Sequence, residues 1–365
     1  PASHALLQAA GARLAARQAA DGRFPNDEAH DVHTTLEALR AFRLLGAAPA
    51  PQRAPVLSRP LQATEADYWR VYQLLLDSVP LAPPGFNWDM RRWEGRRFYD
   101  ANPAGSADWA ENGQVWETAV GQIVALALPE GPSTAALLVH PDYRHLEAEI
   151  IAWAEAHIRG PVRDGSGLQT HFFVYDHDAL RQALLAARGY EQMGYGGVIR
   201  RLRFGQQPLA QPSLAAGYAL RETDPDDPAD CQQIADLLNA AFGRTFHNAA
   251  EYHWFTRHAP GYRRDLDLVA VASDGRFAAY VGVPYDAANR RGVFEPVCTH
   301  PDHQQKGLGK ALMREALLRL QTLGAVDVCV ETGDMVPANK LYDSLGFTER
   351  HMGHYWRKLH DDENT

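Results

Sequence analysis

Between residues 304 and 310 the chain reads Gln304-Gln305-Lys306-Gly307-Leu308-Gly309-Lys310. Glycines at 307 and 309 allow a backbone to approach an anion closely. An apolar repeat starts at Leu308 and returns at Leu312, Ala316 and Leu320, which predicts a helix beginning inside this run. A helix N-terminus offers unpaired N–H groups and the positive end of its dipole. The run therefore predicts a seat for a phosphate or pyrophosphate. It belongs to neither of two familiar phosphate loops, since the chain has no GxxxxGK(S/T) and the spacing here is not GxGxxG.

Other reactive side chains promise less. Cys231, Cys298 and Cys329 are isolated, with no CxxC and no Cys/His pairing at ligand spacing, so neither a disulfide framework nor a zinc site is expected. Cys298 and Cys329 are expected as buried small residues in adjacent strands. His247, His253 and His258 lack regular ligand spacing and suit a surface or an acceptor pocket. No metal is expected.

The elements around the loop follow from pattern and punctuation. An apolar strand at Val293–Thr299 precedes it. Upstream come a strand at Tyr218–Arg221, a helix at Cys231–Phe242, a helical stretch at Ala249–His258, and strands at Leu266–Ala272 and Arg276–Pro284. Downstream lie a strand at Val326–Glu331, a short helix reaching Leu345 with Gly346 beyond it, and a last strand ending near Arg357. The chain also repeats itself. His140-Pro141-Asp142 and His300-Pro301-Asp302 each follow an apolar strand, 160 residues apart, and Gly189-Tyr190 and Gly346-Phe347 recur at a spacing of 157. Two copies of one unit are predicted, at 56–204 and 218–360, joined by a Pro/Gln/Gly-rich linker at 205–217. Residues 1–50 read as a helical hairpin ahead of them.

Phe294-Glu295-Pro296-Val297-Cys298-Thr299-His300-Pro301-Asp302, then Gln304-x-x-Gly307-x-Gly309, then Ala338-x-x-Leu341-Tyr342-x-x-Leu345-Gly346-Phe347, resembles the GNAT superfamily of acyltransferases in content and order. The resemblance implies an α+β (α/β) protein of two tandem GNAT-like domains, each a mixed, mostly antiparallel sheet flanked by helices. It resembles tandem enzymes of the mycothiol synthase type, in which one half works and the other supports it. It further implies that Gln304, Gln305, Lys306, Gly307, Leu308, Gly309 and Lys310 hold the pyrophosphate of acetyl-CoA or another acyl-CoA. Val297, Cys298 and Thr299 then pair with the pantetheine arm, and a backbone N–H near Val297 or Cys298 faces the developing oxyanion. Tyr342 falls on the tyrosine that returns a proton to the CoA thiolate, a task suited to a phenol with a pKa of about 10. Glu295 falls where a base or its orienting group sits, with Glu331 as its competitor. Family members often carry Asn where this chain has Met335, and Asn339 is the expected substitute.

The first copy departs from that pattern. Glu147 and Glu149 stand where Gly307 and Gly309 stand in the second, and Leu185 stands for Tyr342. Two carboxylates would repel a pyrophosphate. The first copy is therefore expected to pack on the working half and complete the acceptor site. The net charge of −9 and the lack of any block of five basic residues argue against nucleic acid and anionic membranes, and favour a cationic acceptor. With no apolar run of about 18 residues and no signal-peptide pattern at Pro1-Ala2-Ser3-His4, a cytoplasmic monomer or homodimer is expected. The expected activity is N-acetylation of a small-molecule amine. The alternatives are a peptide or protein N-acetyltransferase and a non-catalytic acyl-CoA sensor.

Overall fold

The structure is a computed structural model and describes residues 55–99, 108–205 and 208–360. The helical hairpin expected at 1–50 lies outside the described residues. The first half runs β1 (Val56–Pro60), α1 (Glu65–Ser78), α2 (Met90–Phe98), β2 (Gln114–Thr118), β3 (Ile123–Pro129), β4 (Thr134–Val139), α3 (Glu147–His157), β5 (Gly160–Pro161), β6 (Leu168–Tyr175), α4 (Ala179–Ala187) and β7 (Glu191–Arg203). The second half runs β8 (Tyr218–Glu222), α5 (Pro228–Phe242), α6 (Ala249–His258), β9 (Asp267–Ala272), β10 (Phe277–Gly282), β11 (Tyr285–Asp286), β12 (Arg291–Val293), β13 (Val297–Thr299), α7 (Leu308–Thr322), β14 (Asp327–Thr332), α8 (Val336–Leu345) and β15 (Glu349–His360). Both halves lie in one unit, Ser58–Thr365.

Local signals account for the helix ends. Asp227 caps α5 by accepting from the Ala229 N–H, Pro228 opens the helix, and Gly243 closes it at φ +62°. Gly346, at φ +93°, closes α8 in the same left-handed way. The buried face of α7, from Leu308 through Leu312 and Ala316 to Leu320, packs with Leu268, Val281, Phe294 and Val330 in one apolar core.

The sheets carry the unexpected feature. A large sheet runs β1-β2-β3-β4-β6-β15-β7-β14-β12-β11, and β5 adds to β6. The last strand of each half thus pairs into the other half. β15 lies between β6 and β7, with Gly353 opposite Tyr175 and Met352 opposite Val198, and β7 continues to β14, with Arg200 opposite Val330. A second sheet is ordered β13-β10-β9-β8.

The strand expected at Val293–Thr299 is two strands in two sheets. β12 pairs parallel to β14 through Val293 opposite Cys329. The Phe294 N–H still donates to the Cys329 carbonyl at 2.9 Å, but the Glu295 N–H donates to Gly282 at 3.0 Å. From Val297 the chain pairs with β10. Cys298 and Cys329 are both buried, yet they stand in different sheets and not in adjacent strands. Burial pushes each thiol up to about 12, which makes a reactive thiolate unfavourable.

Candidate active site

The hand-over at Glu295 opens a gap. Below it β12 and β14 are paired; above it β13 is the edge strand of its own sheet. An edge strand leaves alternate backbone N–H and C=O groups without ladder partners. Val297 and Thr299 are half-buried there and Cys298 is buried.

The predicted anion seat adjoins this edge. Gly307 is the N-cap of α7 at φ +74°, a conformation that a side chain disfavours, and Gln305 precedes it at φ +61°. Gln304, Gln305, Lys306 and Gly307 are exposed, while Leu308 is buried and anchors the first turn. A Cβ on Gly309 would lie 3.6 Å from Thr299 Oγ1, so the helix start abuts the end of β13. Lys306 Nζ donates to Tyr218 Oη at 2.9 Å and to the Asp302 carbonyl at 3.3 Å. Lys310 is half-buried in the first turn.

A cleft of about 710 Å³ takes in both Glu295 and Tyr342, along with Pro296, Val297, Glu331 and Thr332. Tyr342 is 5% exposed and packs against Phe347 at 5.9 Å between ring centroids. Burial pushes its phenol up to about 12, so it stays protonated at neutral pH. Glu295 is exposed in the break between strands. Glu331, at the end of β14, accepts a hydrogen bond from Tyr175 Oη at 2.9 Å, and its other oxygen lies 3.8 Å from Arg92 Nη1.

Asn339 stands apart from the expectation that it contacts a cofactor. Its Oδ1 accepts from Arg200, and its Nδ2 donates to the carbonyls of Gly333 and Met335 at 3.0 and 3.1 Å. Both polar ends of the amide are held inside the protein, where they tie α8 to β7.

The opposite wall comes from the first half, and sequence reasoning named none of its residues. Asn87, Trp88, Asp89, Arg91, Arg92 and Tyr175 all line the cleft. Asp89 caps α2 by accepting from the Arg92 N–H at 3.0 Å. Burial, with Glu295 and Glu331 adding negative charge, pushes its carboxyl up to about 6. The cap was legible as Asp before a helix; its meeting with Glu295 was not.

The corresponding place in the first half is taken by its own chain. β4 pairs parallel to β6 only at Thr134–His171 and Ala135–Phe172. Beyond that, the backbone of Val139, the counterpart of Thr299, is bound by the Asn87 amide at 2.9 and 3.0 Å. Phe86 is buried beside it, with the Arg144 and Arg181 guanidinium groups 4.9 and 5.4 Å from its ring centre. Glu147 is fully buried and pairs with both arginines, and Glu149 accepts from Trp116 Nε1 at 2.7 Å.

Comparison with known proteins agrees with this geometry. Residues 231–347 match the acetyltransferase (GNAT) family. The chain is 36% identical over 135 residues to the streptothricin acetyltransferase of Streptomyces lavendulae, a match spanning 36% of this chain and 63% of that protein. It is 29% identical over 270 residues to the mycothiol acetyltransferase of Pseudarthrobacter chlorophenolicus, covering 69% of this chain and 75% of that one. Among solved structures, a tandem GNAT protein from the clavulanic acid biosynthesis pathway superimposes with a TM-score of 0.59, at 18% identity over 85% of this chain and all of that one. No helix among the described residues is long and apolar enough to cross a membrane.

Proposed function

We propose that the chain transfers an acetyl group from acetyl-CoA to a small-molecule amine, a reading supported by the match of residues 231–347 to the acetyltransferase (GNAT) family and by the similarity to a mycothiol acetyltransferase. The observation that carries this reading is the cleft in which the Tyr342 phenol and Glu295 meet Val297 of the β13 edge; the helix start at Gly307 and Gly309 abuts the far end of that strand at Thr299. The carboxylates of Asp89, Glu295 and Glu331 line the same cleft, and a carboxylate attracts an ammonium.

Acetyl-CoA is held by its pyrophosphate at the residue 304–310 loop and by its pantetheine arm along Val297–Thr299. The acceptor enters as ammonium, and Glu295, directly or through water, takes one proton. The free amine attacks the thioester carbonyl, and a β13 backbone N–H stabilises the oxyanion. The C–S bond breaks, Tyr342 gives its proton to the departing thiolate, and the second proton lost from the nitrogen, now an amide, restores the phenol. The reaction passes through a ternary complex and uses no covalent enzyme intermediate. The two relatives, acetyltransferases of streptothricin and of mycothiol, favour an aminated metabolite over a peptide.

The test is a panel of small amines and peptides with acetyl-CoA, read by mass spectrometry, with Tyr342→Phe beside the native chain. Acetylated small amines are expected, with turnover reduced on the order of 10²- to 10⁴-fold in the variant. Acetylated peptides alone would move the chain to the peptide class. Acetyl-CoA binding with no turnover on any acceptor would make it a sensor.

A further inference from the structure

A second cluster of reactive side chains lies behind Tyr175, where the exchanged strand β15 crosses the end of β6. The backbone there is fixed by pairing. Gly353 stands opposite Tyr175, and the Asp176 N–H donates to the Met352 carbonyl at 2.8 Å. This holds the Asp176-His177 turn of the first half against His351 of the second.

His177 Nδ1 and His351 Nδ1 each lie 3.9 Å from the same oxygen, Asp176 Oδ1. One donor atom from each of the three residues lies within 4.8 Å of the others. Those separations are too long for hydrogen bonds. Two ligands about 2.1 Å from a tetrahedral ion stand roughly 3.4 Å apart, so side-chain shifts on the order of half an ångström to an ångström would close the three donors on one cation. We propose that Asp176, His177 and His351 bind a divalent transition-metal ion of the zinc type, which ties the exchanged strand to the first half.

Three further observations support the site. Both ring nitrogens of His177 are buried, and neither has a hydrogen-bond partner. An imidazole with both nitrogens unsatisfied calls for a bound group. Its ring is stacked on Tyr175 at 5.8 Å and meets the His351 ring edge-on at 4.8 Å, so both imidazoles are held in place.

His351 has the backing that metal-bound histidines have. Its Nε2 lies 3.1 Å from Glu349 Oε1, and Glu349 is itself held by Arg201. A proton on Nε2 leaves the Nδ1 lone pair directed toward Asp176.

The charges around the site are compatible with a cation. Arg181 is paired with Glu147 and Asp178, and Arg201 with Glu349 and Asp327. Two imidazoles and one carboxylate suit zinc better than magnesium or calcium. Asp176 is exposed and leaves a way in and a coordination position for water.

The experiment uses the full chain without a histidine tag, stripped with chelator. Calorimetry with zinc chloride at pH 7.5 should give one saturable site per chain, and zinc should raise the melting temperature by several degrees. Cobalt(II) should give the intense visible bands of a four-coordinate ion, and zinc should abolish them. His177→Ala and His351→Ala should lose the site, Asp176→Asn should weaken it, and Glu349→Gln should weaken it about 10- to 100-fold. No saturable zinc and no cobalt spectrum in the native chain would overturn the proposal, whether or not the variants fold. Unchanged binding in both histidine variants, with native circular dichroism, would overturn it as well.

Discussion

The guanidinium of Arg200 grips Asn339: its Nε and Nη2 donate to the Asn339 Oδ1 at 3.0 and 2.7 Å. Nη1 donates to Asp343 at 2.6 Å, on the other side of Tyr342 in sequence. Arg200 is 3% exposed and belongs to β7, the strand the first half contributes to the second. The half without an anion seat therefore holds the helix that carries the proposed acid. The Arg200 charge also opposes the effect of burial on the Tyr342 phenol.

Arg200→Met should leave Asn339 and Asp343 without their partner and loosen α8. Hydrogen bonds to charged groups contribute roughly 1.5–3 kcal/mol, so kcat should fall on the order of 10- to 100-fold. Acetyl-CoA affinity should move only a few-fold, because the seat at Gly307 is on another helix. Arg200→Lys should recover part of kcat. Equal losses in kcat and cofactor binding would make Arg200 a general structural residue.

Acetyl-CoA binding should show one site per chain by calorimetry and should be lost in Gly307→Glu. The left-handed backbone at Gly307 and the occupied backbone of Val139 both lead to this expectation. Two equivalent sites, or native affinity in the variant, would remove the seat from the residue 304–310 loop.

Asp89, pushed up to about 6, should give the acceptor KM its pH dependence. Below pH 6 the carboxyl is neutral and attracts a cationic acceptor less, so KM should rise as pH falls through 6. Asp89→Asn keeps a good helix cap. It should raise KM at pH 8 and flatten the acid limb. If the limb persists unchanged in the variant, it belongs to another group.

Glu94 links the halves from inside the core, accepting from Tyr72 Oη at 2.9 Å and from the Gly261 N–H at 2.7 Å. Burial pushes it up to about 7 from an ordinary value of 4.5, and its Oε2 has no partner. The folded chain therefore binds this proton more tightly than the unfolded chain. Stability falls as pH rises from about 4.5 through 7 and is level above that. Glu94→Gln should remove that slope and raise the melting temperature at pH 8, with an upper limit on the order of 3 kcal/mol. Identical melting-temperature profiles from pH 5 to 8 would show that Glu94 ionises at its ordinary value.

What could be read without the structure was local or periodic. The turn at Gly307 depends on one residue's backbone freedom, and the helix after it depends on apolar residues repeating every turn. Tyr342 lies on the short helix expected there, and the tandem halves follow one order because the same punctuation recurs. The tertiary structure decided the rest, since it depends on which strands pair across long stretches of chain. The alternating pattern of Glu349–His360 fits beside β6 of the first half as well as beside its own half, so strand exchange leaves no local mark. Val293–Thr299 has the composition of one strand, and only its competing partners, Cys329 and Gly282, divide it at Glu295. Asp89, Tyr175 and Arg200 carry no motif. They reach the cleft or α8 because the exchange brings the first half against the second, a relation of distance in space and not in sequence.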